Sequence, residues 1–353
     1  LVFILVSSLV ILPTPEASAQ TATYISVNLS SWKNKEDHQQ GIYNDGAGTV
    51  WQGLAKGCGL IKINSSTKTV TTIYDSGIGS GDPGDCYNLI SDGNGNIWIP
   101  DNQKGRIWKY NIAGNTWTSY CLTPDITGVT KNYNNSGCER YRVDASSNTY
   151  GFTIDTYTGV KVGSNIYIAG SYDLQFTSDP SIARVKWGGL YKININDNSV
   201  TRISLGSSTI PRGLRLDGTT LWITDLAGKV YGFNTNTDSV STTFTSLTDP
   251  FGIDSDTNYL YVTQYNNPNI YKILKSDGSS SVISTGGSGG TYWVKVFGNN
   301  VIWSGREYRI GVHNMQTGTN TVYTTTTQAN YFMDIVGTEV WFSGKGSDRT
   351  VIN

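Results

Sequence analysis

NIWIPDNQKGRIWKYNIAGNTWTSY (Asn96 to Tyr120) decides the reading of this chain. It holds a strand anchored on an aromatic, an acidic turn, a glycine, a short basic strand ending in Asn, and a polar strand rich in Thr. Each piece is of β-strand length and bounded by turn formers. The opening phrase recurs as GTVW (Trp51), GNIW (Trp98), SNIY (Tyr167), TTLW (Trp222), NYLY (Tyr261), NVIW (Trp303) and TEVW (Trp341). The second phrase recurs as GLIKIN, GRIWKYN, GLYKIN, KVYGFN, NIYKIL, RIGVHN and finally TVIN. Small β units repeated at this spacing specify a solenoid or a propeller, because one unit alone cannot bury its apolar face.

Composition agrees. Of 353 residues, 40 are Gly, 22 Tyr and 10 Trp, while charged residues make up 15%. Turn formers and strand formers dominate, and helix formers have little room. The formal net charge is -1, and no Lys/Arg run is present. Nucleic-acid affinity rests on clustered cations, so no nucleic-acid partner is expected.

Inner strands start near Gly41, Tyr87, Thr158, Arg212, Phe251, Trp293 and Phe332. Fourth strands rich in Ser, Thr and Val close the units, as in TVTTI (Thr69 to Ile73), SVTRI (Ser199 to Ile203) and NTVYTT (Asn320 to Thr325). The expectation is an all-β fold, a seven-bladed β-propeller of four-stranded antiparallel blades. The last repeat stops at Asn353 on its third strand, and an open sheet edge invites unwanted pairing. ATYISVNLS (Ala22 to Ser30) alternates correctly and is expected to complete that blade beside Thr350 to Asn353. In the competing reading this strand, or Leu1 to Leu12, pairs with a neighbouring molecule. An insertion at about 121–157 separates the second and third blades. Loops of that length are uncommon without a role, so it covers one end of the ring, contacts a partner, or decorates.

LVFILVSSLVIL (Leu1 to Leu12) is apolar or Ser and ends at Pro13. A membrane-spanning helix needs about 20 such residues, so no transmembrane span is expected. Followed by PTPEASAQ, the run reads as a secretory segment with a cleavage site at Ala17, Ser18 and Ala19, although a basic flank and an initiator Met are absent. Retained, the same residues, with Leu1, Val2, Phe3, Ile4, Leu5 and Val6 foremost, form an assembly segment. The chain thus divides into 1–21, signal-like or retained, and 22–353, the propeller. Both readings place it outside the cell or on its surface.

With the units aligned, Asn96 to Tyr120 and LWITDLAGKVYGFNTNTDSVSTTF (Leu221 to Phe244) resemble the repeats of streptogramin lyase-like and NHL/YncE-type seven-bladed β-propellers. There an aromatic strand and an acidic turn are followed by a glycine, a short basic strand and an Asn or Asp. The resemblance covers most of Gly41 to Asn353 outside the insertion and implies the fold. It also implies, for streptogramin lyases, a metal held with a His and Glu constellation in the central site. This chain has two histidines, His38 in a polar linker and His313 in the slot that Ile63, Tyr110 and Ile193 fill elsewhere, and no E-x-H pair. Lyase chemistry is therefore not carried over, and no cofactor or metal is expected.

Four cysteines, Cys58, Cys86, Cys121 and Cys138, suggest two disulfides in an exported protein, with three connectivities open. Pairing Cys58 with Cys86 staples the first blade to the start of the second, and Cys121 with Cys138 clips the insertion. Zinc is the alternative, without a CxxC or a neighbouring His pair. Asp92, Asn94 and Asn96 in DGNGN mimic the start of a calcium loop, but equivalent turns elsewhere are plain Asp-Gly or Asn-rich hairpin turns. GIGSGDPGDC (Gly77 to Cys86) is Gly-rich without a strand-to-helix pattern and is no phosphate loop. Polar residues recur inside apolar inner strands at Lys161, Arg215, Asp254, Lys295 and Asp334. Either they converge as a ligand site in a central channel, or Arg215 pairs with Asp254 and Lys295 with Asp334. Asn28, Asn64 and Asn134 head sequons, so glycans are expected where the source organism attaches them.

No Ser-His-Asp, Cys-His or paired-glutamate arrangement stands out. The leading expectation is an extracellular, non-enzymatic structural or adhesive propeller, a filament subunit self-associating through its apolar N-terminal segment. The alternative is a secreted carbohydrate- or small-molecule-binding propeller, or a lyase-like enzyme, using the channel. In it Tyr133, Tyr141 and Tyr150 of the insertion are candidates for stacking on sugar rings.

Overall fold

The computed structural model describes residues 3–10, 22–28, 39–55, 57–74, 85–102, 105–122, 129–133, 139–144, 149–176, 185–306, 309–324, 328–336 and 339–345. All regular structure among them is antiparallel β. Two compact units divide the chain, Leu1–Leu89 with Phe251–Asn353, and Ile90–Pro250.

Six blades run as uninterrupted stretches of chain. In the first unit, blade 1 comprises Gln39–Asn44, Thr49–Leu54, Gly59–Asn64 and Val70–Tyr74. Blade 5 comprises Pro250–Ser255, Tyr259–Gln264, Asn267–Leu274 and Ser280–Ile283, and blade 6 Thr291–Phe297, Asn300–Gly305, Arg309–Asn314 and Asn320–Thr324. In the second unit, blade 2 contains Ile90–Ser91, Asn96–Asn102, Arg106–Asn111 and Thr116–Cys121, and blade 4 Pro211–Asp217, Thr220–Asp225, Lys229–Asn234 and Ser239–Phe244. Blade 3 has six strands, Val129–Tyr133, Glu139–Asp144, Thr149–Val162, Asn165–Phe176, Val185–Asn194 and Val200–Ser207, in that spatial order.

Blade 3 gives the insertion strands of its own. Val129–Tyr133 and Glu139–Asp144 form a hairpin that docks on the lengthened inner strand, with Tyr141 opposite Gly151 and Val143 opposite Thr149. The side chains of Tyr133, Tyr141 and Tyr150 lie outside the described residues.

The expectation of seven like blades is corrected. The seventh repeat contributes only Gln328–Val336 and Glu339–Lys345 of its own. Phe3–Val10 pairs with the second of these, Ser7 opposite Phe342 and Val10 opposite Glu339, and Ala22–Asn28 then pairs with Phe3–Val10. The third strand of this composite sheet is therefore the apolar segment read as a leader or an assembly arm. Ala22–Asn28 lies outermost among the described strands of this sheet; Thr350 to Asn353, beside which it was expected, fall outside the described residues together with Leu1 and Val2. A β-branched, apolar run suits an interior strand, and its placement covers the open edge of Glu339–Lys345.

Recurrent devices build each blade. Opposite the second-strand aromatic, the third strand carries Lys62 against Trp51, Lys109 against Trp98, Lys192 against Tyr167 and Lys272 against Tyr261, or else Gly232 against Trp222 and Gly311 against Trp303. Lys62, Lys109 and Lys192 lay their ammonium groups 5.6, 4.9 and 5.6 Å from the facing rings. At the glycines the indole lies on bare backbone; a Cβ on Gly311 would overlap Trp303. Fourth-strand aromatics cover the other side, Trp98 with Tyr120 at 5.5 Å and Trp222 with Phe244 at 5.7 Å.

Bulges interrupt the inner-strand ladder in blades 4, 6 and the composite sheet. Each frees an N–H that a second-strand hydroxyl accepts: Gly213 to Thr224, Trp293 to Ser304 and Phe332 to Ser343. This satisfies a buried donor that would otherwise be costly. Turns between third and fourth strands place Lys68, Asn115, Asn198, Asp238, Gly278 and Gly318 at positive φ, the left-handed region that Gly, Asn and Asp adopt most cheaply.

Cys58 and Cys86 are bonded, tying the blade 1 turn to the short strand Asp85–Cys86. Cys121 is also disulfide-bonded; its expected partner Cys138 lies outside the described residues.

Candidate functional site

Acidic side chains in the turns hold the aromatic strands. Asp92 Oδ1 accepts the N–H groups of Asn94 and Asn96 at 2.7 and 3.2 Å, and its Oδ2 accepts Asn96 Nδ2 at 2.7 Å and the Trp98 indole at 3.1 Å. Every neighbour here is a donor, so the carboxylate organises a turn. Burial alone raises its pKa, but the hydrogen bonds from Trp98, Asn94 and Asn96 outweigh it and hold the group below its usual value. Asp256 repeats this, accepting from Asn258, Tyr259 and the Tyr261 hydroxyl, while Glu339 accepts the Trp341 indole at 2.9 Å. At the next turn, Asp101 meets Arg106 Nε at 2.5 Å and the Trp108 indole at 3.2 Å. Asp225 there accepts Ile210 N, Ala227 N and the Tyr231 hydroxyl.

The five inner-strand polar residues divide between the units. Lys295 and Asp334 pair at 3.3 Å. Asp254, buried, accepts the Val296 N–H from the neighbouring blade at 2.8 Å. In the other unit Arg215 stands opposite Trp222 in its own sheet, and Lys161 opposite Ile166. His313 is half-buried on a third strand and pairs through Nδ1 with Asn320 at 2.9 Å; His38 lies outside the described residues. Asn64 is exposed in a hairpin turn, its Oδ1 accepting from Ser66 and Thr67. Asn134 and the side chain of Asn28 lie outside the described residues.

Sequence reading missed a cluster between blades 5 and 6. Phe251, Tyr265 and Tyr292 pack with ring centroids 5.2 to 5.9 Å apart. Trp293 joins at 6.5 Å from Phe251 and meets Phe332 at 5.0 Å. Arg306 caps the group: its Nε donates to the Tyr292 hydroxyl at 2.6 Å, and its guanidinium lies 4.7 Å from the Tyr265 ring and 5.6 Å from Tyr292. Phe251, Tyr292, Trp293 and Phe332 are buried, Tyr265 is half-buried, and Arg306 is exposed. The Tyr292 hydrogen bond pushes the guanidinium pKa further up, so the group stays cationic. A signal was present in the repeat: three residues after the aromatic, blades 2 and 4 have Asp101 and Asp225, whereas blades 5 and 6 have Gln264, followed by Tyr265, and Arg306.

No protein-family model matches this sequence, and no curated protein matches it either. Among solved structures, virginiamycin B lyase from Staphylococcus aureus is similar with a TM-score of 0.63 at 13% identity, over 88% of this chain and 96% of that one. A catalytically inactive variant of that enzyme with quinupristin gives 0.61 at 14%, over 88% and 96%. The WD40 domain of Neurospora crassa Pan2 gives 0.56 at 11%, over 89% and 90%. At these identities the similarity shows the fold alone, and the fold is a β-propeller.

Proposed function

We propose that the chain is an exported, non-catalytic β-propeller that acts by adhesion or recognition at the cell surface. One observation carries this reading. The acids that would be the first candidates for chemistry, Asp92, Asp101, Asp225, Asp256 and Glu339, hold turns, indoles, a guanidinium and phenols, whereas the exposed cation Arg306 stands on an aromatic platform. The Cys58–Cys86 bond supports export, since disulfides persist in oxidising compartments. Quinupristin supplies the test of the enzymatic alternative. The purified protein should leave it intact with added divalent metal; opening of the quinupristin ring above background would overturn the non-catalytic reading.

A filament is a second reading, favoured by the placement of Phe3–Val10. A strand from the far end of the chain that completes a sheet in its own molecule fits the same position in another copy. Head-to-tail exchange of that kind yields a fibre. Two differently tagged copies, secreted together, should then co-purify as polymers visible by electron microscopy. Recovery of each tag alone as monomer contradicts it.

A further inference from the structure

We propose that Asn64 is an acceptor for N-linked glycosylation, its Nδ2 taking the sugar from a lipid-linked oligosaccharide pyrophosphate. The inference goes beyond the adhesive reading above and shares only export with it, because Asn-X-Ser is modified on the surface of secreted chains.

The repeat supplies the geometry. Asn ends the third strand in blades 1, 2, 3, 4 and 6, as Asn64, Asn111, Asn194, Asn234 and Asn314. In each, Oδ1 is spent on the turn that follows. Asn64 accepts the N–H groups of Ser66 and Thr67 at 3.0 and 2.9 Å, and the other four accept likewise from residues two or three further on. An amide fixed by its oxygen holds its nitrogen on the other side, away from those donors. Asn111 spends that nitrogen on Asn96 Oδ1 at 2.8 Å, and Asn194 directs it to Asp197 at 3.5 Å. The nitrogens of Asn64, Asn234 and Asn314 have no partner among the described residues. Of these three, Asn64 alone is followed two residues on by a hydroxyl, Ser66, where the others have Asn236 and Gln316.

The site is open and the product fits it. Asn64, Ser66 and Thr67 are exposed, and so is the turn at 46–48, whose Gly48 O accepts Ser65 N at 2.9 Å. A Cβ on Gly46 meets nothing within 4 Å, which leaves room for a bulky sugar beside Asn64. Lys68 anchors the far end of the Asn64 turn, reaching Ser65 O at 2.6 Å and Glu339. In the transfer Nδ2 forms a bond to the anomeric carbon, the bond from that carbon to the pyrophosphate oxygen breaks, Nδ2 loses a proton and the lipid pyrophosphate leaves. The product is still an amide. Its Oδ1 keeps both turn bonds, so the turn bears the glycan unchanged, whereas at Asn111 the nitrogen is already engaged.

The test is the full chain, secreted behind the leader of a host that carries out N-glycosylation. Glycans are released by peptide N-glycosidase in heavy-oxygen water, and the tryptic peptide 63–68 is read by mass spectrometry. The expected result is heavy Asp at position 64 in the unaltered chain and in Ser66→Thr, and complete loss of that label in Ser66→Ala, which keeps both turn bonds. An unchanged melting temperature of Ser66→Ala shows that the turn is intact. Asn236→Ser should create a second acceptor at Asn234, whose nitrogen is equally free. An unlabelled peptide from secreted protein overturns the site and leaves the export reading standing, and a label that persists in Ser66→Ala overturns the site as well. Failure of Asn236→Ser to label Asn234 overturns the part assigned to the free amide nitrogen. Retention of the chain inside the host, with the peptide unlabelled, overturns the site and the export reading together.

Discussion

In blades 1 to 6 a lysine or a glycine stands opposite the second-strand aromatic, and the two solutions carry different risks. Gly311→Ala drives a methyl group into the Trp303 indole, and overpacking a dry contact costs about 1 to 3 kcal/mol. Denaturant melts should show a loss of that size, and an unchanged midpoint would mean that Trp303 does not lie on the strand. The indoles also differ in polarity. Trp98 donates to Asp92 at 3.1 Å, whereas the buried indole nitrogen of Trp222 has no hydrogen-bond partner among the described residues. Trp98→Phe should therefore destabilise more than Trp222→Phe, by about 1 kcal/mol. The paired acids set the acid limit. Asp92 and Asp256 both have folded pKa values below the ordinary one, so the unfolded chain takes up protons first and stability falls as pH drops through about 4 and below. In Asp256→Asn that fall should be shallower; an identical acid profile would contradict the assignment. Burial, with help from Asp238, pushes the Tyr167 phenol up to about 12, and burial beside Asp225 and Asp256 raises Tyr231 and Tyr261 as well. For these groups the sign reverses: the stabilisation is complete below pH 10 and is lost as pH rises through the folded values.

Blades within a unit are tied by their third-to-fourth turns, which reach the aromatic strand of the preceding sheet. Asp238 accepts from the Tyr167 hydroxyl at 2.7 Å and from Lys192 at 2.5 Å. Lys68 meets Glu339 and lies 4.6 Å from the Trp341 ring, and Met315 accepts from Tyr261 at 2.8 Å. Asp238→Gly keeps the positive φ of 49° available while deleting the tie, so the variant isolates the contact between blades 3 and 4. It should cost about 1 kcal/mol, with Asp238→Asn costing less. The Cys58–Cys86 bond spans a sequence separation of 28, and its reduction should cost about 3 to 4 kcal/mol in the loop-entropy account. The recurring phrases made these elements legible. Aromatic, turn and Asn positions repeat because each blade solves the same burial problem, and the facing Lys or Gly follows from the register. The turn acids were legible only as turn formers, since their second role, holding an indole or phenol, depends on a side-chain direction that spacing does not give.

Less of the whole molecule could be read. Repeats announce themselves by similarity, whereas Phe3–Val10 resembles no other third strand; its run of apolar residues reads alike as a leader, an arm or a core strand until its partner is known. The insertion hid its strands for a related reason, because a hairpin without a repeat has nothing to be compared with. Arg306 escaped notice because the cluster joins residues from blade 5, blade 6 and the composite sheet, none of which is unusual alone. The same reasoning gives the composite sheet its weight: the apolar segment Phe3–Val10 is a strand of the sheet that contains Gln328–Val336 and Glu339–Lys345. Val10 stands opposite Glu339, and facing residues of an antiparallel pair lie within disulfide reach. Oxidation of the double variant Val10→Cys, Glu339→Cys, followed by mass spectrometry of the non-reduced peptides, tests this most directly. The account predicts a peptide joining the first strand to Glu339–Lys345; two cysteines that stay unlinked in folded protein would contradict it.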